Sequence, residues 1–443
     1  MVFLFSNHYK SLYLKRIKHM LFKNIQKTYS ISTARKFFIY GIGQFFNVVS
    51  PLLIIPHVVS VCHEEGLGKV GVGFSIAFIL IVVIDFSSYI NGIRDISQNK
   101  LEKKTQKEII ISHFYAKIFL FLGLFFIVTI VTFLVPYLFN QLDIVGGALF
   151  VVFAQVFNPT WVFQGEEDFF SQTILNSISK LIYLFGVFYF VNAEQDYDLV
   201  LFFYGAGLLV PSLFYVLKIK QKHQIKARDF SNKKAIHLLK TDFPFCVSQL
   251  FFAFRQYSPI LVVDLFLGTA MAGEYKIIEQ LIMLFRTFFQ IVFRFSYSVI
   301  CSKIKESFSV GFLLWKRING LSLLFVLFGI TVIYTNYEMV FLFFNSNPNF
   351  LATCKSLLFA LIIPVFIGCN LALEQLVFSL NKNRIYIRIT VFITIFGTIS
   401  LLVFSRFLLL KGIIWSLLTT EIVLFVVYGL LLKKPFNTLK KQD

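Results

Sequence analysis

Residues 37–61 read FFIYGIGQFFNVVSPLLIIPHVVSV, and residues 243–268 read FPFCVSQLFFAFRQYSPILVVDLFLG. Each stretch is long enough to cross the roughly 30 Å hydrocarbon core of a bilayer as one helix. Each carries a Ser-Pro pair near its middle, at Pro51 and Pro259, and a proline inside a helix removes a hydrogen bond and kinks it. The pattern predicts an internal repeat with a site between its two halves, as in many transporters. A chance similarity of two apolar runs is the alternative.

The remainder of the chain has the same apolar character. Of its 443 residues, 57% are hydrophobic, and 58 are Phe. Long apolar runs separated by short polar links indicate a polytopic helical membrane protein rather than a soluble domain. The runs predict an all-α membrane protein with about 12 transmembrane helices, among them a second span over residues 70–96 and a fourth over 147–163.

The net charge of +19 is distributed unevenly. Most of the 42 Lys and Arg lie in both terminal segments and in every second loop between the predicted spans. This is the pattern of cytoplasmic loops, so both termini are expected in the cytoplasm and no nucleic-acid partner is expected. The partners that the pattern implies are membrane lipids.

The same pattern divides the chain into five parts. The longest basic loop divides the chain almost in half and separates two bundles of six predicted spans each. The parts are a basic cytoplasmic segment (1–35), a first bundle (36–217), a basic cytoplasmic loop (218–240), a second bundle (241–432) and a basic tail (433–443). The first segment is either an interfacial helix on the anionic inner leaflet or an extension ahead of a true start at Met20.

The chemistry-bearing residues form no catalytic pattern. The five Cys and seven His are scattered without metal-ligand spacing, and the chain has no phosphate-binding loop, zinc motif or nucleophile–base–acid set. The outer loops are too short to hold a folded enzymatic domain. We therefore expect no enzyme, no catalytic residue, no cofactor and no metal.

Charged side chains inside spans are the most informative residues, because each costs roughly 2.5–3.5 kcal/mol to insert at mid-bilayer. On the predicted eighth span, Glu279, Arg286, Gln290 and Arg294 fall within about 80° of one helical face. Two guanidinium groups suit a phosphate ligand, since each can donate to two oxygens. The stripe predicts a cationic cavity; a buried ion-pair network between helices is the alternative.

Further charges lie in other spans. Arg255 on the seventh span is expected to join the cationic cavity, and Asp85, Glu374, Glu279 and Asp264 are candidates for gating or proton coupling. A hydrogen-bonded structural carboxyl group is the alternative for Glu374.

Three more cations, Arg94, Lys117 and Lys180, lie near predicted span ends. Long basic side chains at such positions usually reach out to the membrane interface. We interpret all three in this way, with a ligand role as the alternative.

Three stretches resemble the polysaccharide transporter family, the Wzx-type O-antigen flippases of the multidrug/oligosaccharidyl-lipid/polysaccharide exporter superfamily. Residues 50–56 read SPLLIIP, residues 85–97 contain DF and GIRDIS, and residues 158–166 read NPTWVFQGE, the most specific of the three. Ser87 and Asp95 stand where the family usually has Gly and Glu. The motif residues are Pro51, Arg94, Asp95, Pro159, Trp161, Gln164 and Gly165.

The resemblance implies two six-helix bundles that form a V around a central cavity, in the inner membrane of a bacterium. It also implies a flippase that moves undecaprenyl-diphosphate-linked oligosaccharide repeat units from the inner to the outer leaflet by ion-coupled alternating access, alongside a polysaccharide polymerase and a chain-length regulator. A drug or cation antiporter of the same fold and a membrane polysaccharide polymerase are the alternatives.

Overall fold

The structure is a computed structural model. It describes residues 31–99, 102–226, 229, 232–344, 347, 355–380 and 383–439. The basic segment up to residue 30, with its two interpretations, lies outside the described residues, as do the last four residues of the tail.

The described chain is helical almost throughout. The helices before the long basic loop are α1 (Ile31–Asp85), α2 (Ile93–Gln98), α3 (Lys103–Leu134), α4 (Pro136–Phe139), α5 (Leu142–Val156), α6 (Thr160–Glu166), α7 (Phe169–Phe190) and α8 (Tyr197–Lys222). Those after it are α9 (Asn232–Leu267), α10 (Thr269–Glu306), α11 (Phe308–Thr335), α12 (Tyr337–Phe344), α13 (Ile363–Ser379) and α14 (Asn383–Leu439). The predicted loop 218–240 is shorter than expected, because α8 and α9 both extend into it.

Two of these helices are long enough to cross a membrane twice. Nine segments of the described chain are long and apolar enough to span a bilayer, and two of them, within α1 and α14, have 43 and 47 residues. The backbone of α1 turns at His63 (φ 57°) and that of α14 at Leu409 (φ 51°), so each divides into two crossings. The 38-residue α10 is not among the nine. The all-helical membrane fold is confirmed, and the count of twelve spans stays a prediction.

Two predicted spans are interrupted. The second ends as an α-helix at Asp85, where Phe86 has a φ of 48° and a π-helix follows over Ser88–Gly92. The fourth is broken between Val156 and Thr160, where α5 ends and α6 begins. Such interruptions free backbone polar groups, and inside a membrane protein they are found where the chain lines a cavity or is covered by protein.

The apolar core has two main parts, and α10 contributes to both. One cluster is built mainly from the first half of the chain and includes Ile277 and Leu281 of α10 as well as Phe341 and Phe344 of α12. A second cluster is built from α9, α13 and α14 and includes Ile278 and Ile282. Because these pairs are offset by one residue, faces of α10 that are about 100° apart contact the two clusters. The division into two bundles at the basic loop stays a prediction, and this packing supports it.

At one end of the molecule the two halves meet backbone to backbone. A Cβ atom on Gly68 would lie 1.9 Å from the carbonyl oxygen of Thr269, and one on Gly273 would lie 1.9 Å from that of Glu64. Only glycine permits such an approach. We call this the closed end; it carries the turn of α1 at residues 62–68 and the junction of α9 with α10 at residues 268–273.

The opposite end carries the basic loops and is called the basic end. Here Glu166, the last residue of α6, accepts hydrogen bonds from Lys222 at 2.6 Å and His223 at 2.9 Å. Lys107 of α3 forms an ion pair with Asp229 at 2.6 Å. The start of the long basic loop is therefore attached to the first half of the chain.

Candidate functional site

A cavity of about 1290 Å³ lies between the two halves. Its walls come from α1 and the α5–α8 region on one side and from α9 and α10 on the other. It reaches Glu167 and Phe169 at the basic end, and Leu67 and Val70 near the closed end. Pockets for small molecules usually measure about 300–1,000 Å³, so this central cavity can hold a larger ligand.

The polar lining of the central cavity is dominated by amides. Nine amide side chains reach it, together with the tyrosines Tyr89, Tyr183 and Tyr204. The nine are Gln44, Asn47, Gln155, Asn158, Gln164, Gln172, Asn176, Gln249 and Gln280. An amide both donates and accepts hydrogen bonds, and an aromatic ring offers an apolar face with a polar tip. This combination suits a ligand rich in hydroxyl groups.

Among the described side chains, three cations and one carboxylate line the same cavity. The cations are Lys180, Lys276 and Arg294, and the carboxylate is Glu167. The ammonium of Lys180 lies 4.2 Å from the centre of the Tyr204 ring, and no carboxylate of the described residues lies within 4.0 Å of it. Lys180 therefore points into the cavity rather than out to the membrane interface, contrary to its sequence-based interpretation.

Two of the cations share one face of α10. Lys276 and Arg294 are 18 residues apart, which is five full turns and about 27 Å of helix. The ammonium of Lys276 is paired with Glu279 at 2.6 Å. The two cationic groups therefore lie at two depths along one wall, and the charge of Lys276 is compensated by Glu279.

The predicted stripe on α10 divides between two cavities. Arg294 lines the central cavity, whereas Glu279 and Arg286 line a smaller one of about 60 Å³ inside the second half. Gln290 is half-buried and lines neither of these two cavities. The stripe is therefore not one continuous ligand surface in this conformation.

The small cavity contains an ion-pair network. Arg255 contacts Glu421 at 3.4 Å, and the side-chain amide of Asn370 donates to the same carboxylate at 2.6 Å. Arg255 and Arg286 both line this cavity. Glu374 is half-buried on α13 and lines neither cavity. This arrangement corresponds to the alternative in which the buried charges hold helices together.

Asp264, a candidate for gating, lies at the closed end. Its carboxylate accepts hydrogen bonds from the hydroxyl of Tyr137 and, at 3.3 Å, from the side-chain amide of Gln141. Asp264 lies in the last turn of α9, whereas Tyr137 and Gln141 belong to the segment between α3 and α5. The contact therefore joins the two halves.

Asp85, another gating candidate, lies at the interruption of the second span. Its carboxylate accepts from Lys117 at 3.0 Å and from Gln155 at 3.0 Å. Lys117 has only 1% of its side chain exposed, so its expected role at the membrane interface is wrong. The ammonium is buried and neutralised by Asp85.

The motif residues build the wall around this ion pair. Trp161 is fully buried and packs on His113, with 4.9 Å between ring centres. A Cβ atom on Gly92 would lie 2.9 Å from Trp161, and one on Gly165 would lie 2.7 Å from Ile96. The second and third motif stretches therefore pack against each other.

The remaining motif residues have separate positions. Pro51 and Gln164 line the central cavity, and Pro159 immediately precedes α6 at the interruption of the fourth span. Arg94 pairs with its neighbour Asp95 at 3.0 Å and is more than half exposed. Its expected position at the membrane surface agrees with this exposure.

Sequence reasoning did not select Lys276 or the amide lining. The spacing of 18 residues that places Lys276 over Arg294 is visible in the sequence, because it equals five helical turns. The amides come from several helices, and only their folding together assembles them. Within the described ranges, no group of three or more His, Cys, Asp or Glu side chains is arranged to hold a metal ion.

The fold and the central cavity define a class of membrane protein, the transporters whose two helical halves enclose a substrate cavity. The structure of an inward-facing multidrug resistance MATE family transporter of the MOP superfamily matches 90% of this chain and 96% of its own, with a TM-score of 0.72 and 15% identity. An outward-facing structure of a MATE family transporter matches 92% and 95%, with a TM-score of 0.55 and 14% identity. A MOP superfamily transporter from Pyrococcus furiosus, noted for a binding pocket of reversed polarity, gives a TM-score of 0.64 at 16% identity over 92% and 96%.

Within that class, the chain belongs to the polysaccharide biosynthesis protein family, which matches residues 33–297. A candidate O-antigen transporter of Escherichia coli (strain K12) is 23% identical over 186 residues, which are 42% of this chain and 45% of that protein. The matched region thus spans less than half of this relative. The resemblance to polysaccharide transporters is confirmed, and the transporter fold agrees with the expectation that the chain is not an enzyme.

Proposed function

We propose that the protein is a flippase that moves undecaprenyl-diphosphate-linked oligosaccharide repeat units from the inner to the outer leaflet of a bacterial inner membrane, by ion-coupled alternating access. The observation that supports this most is the lining of the central cavity, in which amides and tyrosines surround three cations. Amides suit the hydroxyl groups of sugars, and the cations suit a diphosphate. The basic end is assigned to the cytoplasm, with both termini on that side.

The role of each cation follows from its position. We assign binding of the diphosphate to Arg294 and Lys180, because both line the central cavity. Lys276 lies about 27 Å along α10 from Arg294 and is paired with Glu279 at 2.6 Å, so it is not assigned to the same diphosphate. Arg255 and Arg286, which the sequence favoured for this role, line the small cavity instead and are assigned to holding the second half together. Asp85, Glu374, Glu279 and Asp264 stay candidates for gating or coupling.

The polarity of the cavity also bears on the rival functions. A drug or cation antiporter is expected to carry an acidic, aromatic cavity, since cationic substrates need nearby negative charge. In the part of the cavity lining that the structure describes, there are three cations and one carboxylate, that of Glu167. A polysaccharide polymerase and a chain-length regulator are the partners that the proposed role implies.

A gene deletion tests the proposal in cells. Without the protein, surface polysaccharide should be lost and single lipid-linked repeat units should accumulate in the cytoplasmic leaflet. Single units that reach the outer leaflet without chain growth would favour the polymerase, and unchanged glycan with lost drug efflux would favour the antiporter.

Complementation of the deletion strain then tests the cavity. Lys180→Gln with Arg294→Gln should fail to restore the polysaccharide. The matched control is Lys316→Gln with Arg317→Gln, because both side chains are exposed on α11. A double cavity variant that is well expressed and restores normal glycan would refute the assigned binding role.

A further inference from the structure

The closed end holds two carboxylates at the contact between the halves. Glu64 lies in the turn of α1, and Glu274 lies at the start of α10, one residue before the predicted eighth span. The residue before Glu274 is Gly273, whose missing side chain lets its backbone approach the carbonyl oxygen of Glu64. The backbones of the two acidic residues are therefore brought together wherever this contact is closed, and the charge of Glu64 acts on the carboxyl group of Glu274.

The two carboxylates differ in their partners. Oε1 of Glu64 accepts a hydrogen bond from the side-chain amide of Asn347 at 3.0 Å. Oε2 of Glu274 is buried and has no hydrogen-bond partner in the described part of the chain. An ionised oxygen buried without a donor is costly, and a like charge beside it increases that cost. The neutral form of Glu274 therefore suits the closed contact.

The basic residues nearby are already engaged. On α1, Lys69 pairs with Glu65 at 3.3 Å, and on α10, Lys276 pairs with Glu279 at 2.6 Å. Neither ammonium is placed to neutralise Glu274.

Two other acidic groups near the closed end are also engaged. Asp264 at the end of α9 accepts from Tyr137 and Gln141, and Glu338 of α12 accepts from Tyr337 at 2.8 Å. Glu64 is the charged group that acts on the Glu274 carboxyl group. Burial, and after it the charge of Glu64, raise the pKa of Glu274 to about 7.

We propose that Glu274 and Glu64 form a proton-operated latch, in which a proton on Glu274 permits the two halves to close at this end. The inference rests on the alternating access that is part of the proposed function. In the open state Glu274 would face water and have the ordinary pKa of a Glu, roughly 4.3. The closed state binds the proton more tightly, so acid favours closure and closure weakens as pH rises through about 7.

The experiment measures the distance across the closed end without substrate. Spin labels are placed at Gln195→Cys between α7 and α8 and at Lys411→Cys in the second half, both exposed, after replacement of the five native cysteines. The full chain in lipid nanodiscs is measured between pH 5 and pH 8. The closed population should fall as pH rises from 5 towards 7 and change little above pH 7.

Three variants make the test specific. Glu274→Gln, which mimics the protonated form, should stay closed up to pH 8, and Glu64→Gln should shift the midpoint of the transition to lower pH. Glu65→Gln is the matched control, because Glu65 lies on the same turn and is engaged by Lys69; its midpoint should be unchanged. The latch proposal is refuted if the distance between the labels in the wild type does not change with pH. It is also refuted if the Glu274→Gln variant shows the wild-type pH dependence.

The failure of this inference and that of the flippase are distinguishable. If the distance responds to pH as described but reconstituted protein moves no lipid-linked glycan, the latch stands and the proposed substrate is wrong. If the protein moves glycan and the distance between the labels does not change with pH, the proposed flippase function is supported and the latch proposal is wrong.

Discussion

The side-chain amide of Gln155 donates a hydrogen bond to the carboxylate of Asp85 at 3.0 Å, across 70 residues of sequence. Asp85 ends the regular part of the second span, and Gln155 lies one residue before the end of α5. The bond therefore joins two helix interruptions, and Lys117 supplies the compensating charge at 3.0 Å. Gln155 also lines the central cavity. Its side chain therefore connects the cavity surface directly to the buried Asp85–Lys117 ion pair.

Asp85→Asn should destabilise the protein strongly. It leaves the ammonium of Lys117 buried without a counter-charge, and breaking one partner of a buried pair costs about 3–5 kcal/mol. Thermal unfolding of the purified protein in detergent measures the loss. Asp85→Asn combined with Lys117→Met should recover most of it, whereas Asp95→Asn, on a half-exposed side chain, should change little. Equal unfolding temperatures for Asp85→Asn and Asp95→Asn would contradict the buried pair.

Gly273→Ala should prevent full closure at the closed end. Its Cβ atom would lie 1.9 Å from the carbonyl oxygen of Glu64, so the halves must separate locally. The labelled pair at Gln195 and Lys411 should report a longer distance at every pH. Gly146→Ala is the matched control, since nothing lies within 4 Å of its Cβ position. A Gly273→Ala variant with the wild-type distance would show that the contact is not a constraint.

Tyr137→Phe should reduce the closed population by less than Gly273→Ala does. It removes the hydroxyl that donates to Asp264 and keeps the ring, and a hydrogen bond to a charged group contributes about 1.5–3 kcal/mol. The same labels should show a smaller closed population than in the wild type. Tyr334→Phe, at an exposed tyrosine of α11, should leave the population unchanged; an equal loss in both variants would exclude a specific role for Tyr137.

Arg255→Ala should lower the thermal stability of the protein, because we assign Arg255 to the packing of the second half and not to substrate binding. Arg255 contacts Glu421 at 3.4 Å inside the small cavity, so its removal leaves a buried carboxylate unpaired. The double change Arg255→Met with Glu421→Leu should restore thermal stability and retain glycan transfer. If the stable double variant transfers no glycan, Arg255 acts on the substrate and our assignment is wrong.

Much of the fold could be predicted from the sequence, because membrane helices are local. Apolar runs long enough to span a bilayer, the uneven charge and the NPTWVFQGE stretch were sufficient to indicate an all-helical transporter of the polysaccharide family. The turns at His63 and Leu409 were expected as links between spans, and the backbone leaves the helical conformation at both residues.

The site was harder to predict, because its side chains come from many helices. The 80° face on α10 was correctly seen as polar, but opposite edges of that face line different cavities: Arg294 lines one and Arg286 the other. The packing of α10 between the two halves determines which edge of this face lines the central cavity and which lines the small cavity. The pairing of Lys117 with Asp85 likewise depends on the approach of α3 to the interruption after α1, which no local pattern encodes.

Transfer of lipid between leaflets by the purified protein tests the central claim most directly. The protein is reconstituted into vesicles with a fluorescent undecaprenyl-diphosphate oligosaccharide, and the label left in the outer leaflet is quenched over time. We predict transfer well above that of protein-free vesicles, a loss of at least about tenfold for Lys180→Gln with Arg294→Gln, and wild-type transfer for Lys316→Gln with Arg317→Gln. Transfer no faster than in protein-free vesicles, or undiminished in the cavity variant, would contradict the account.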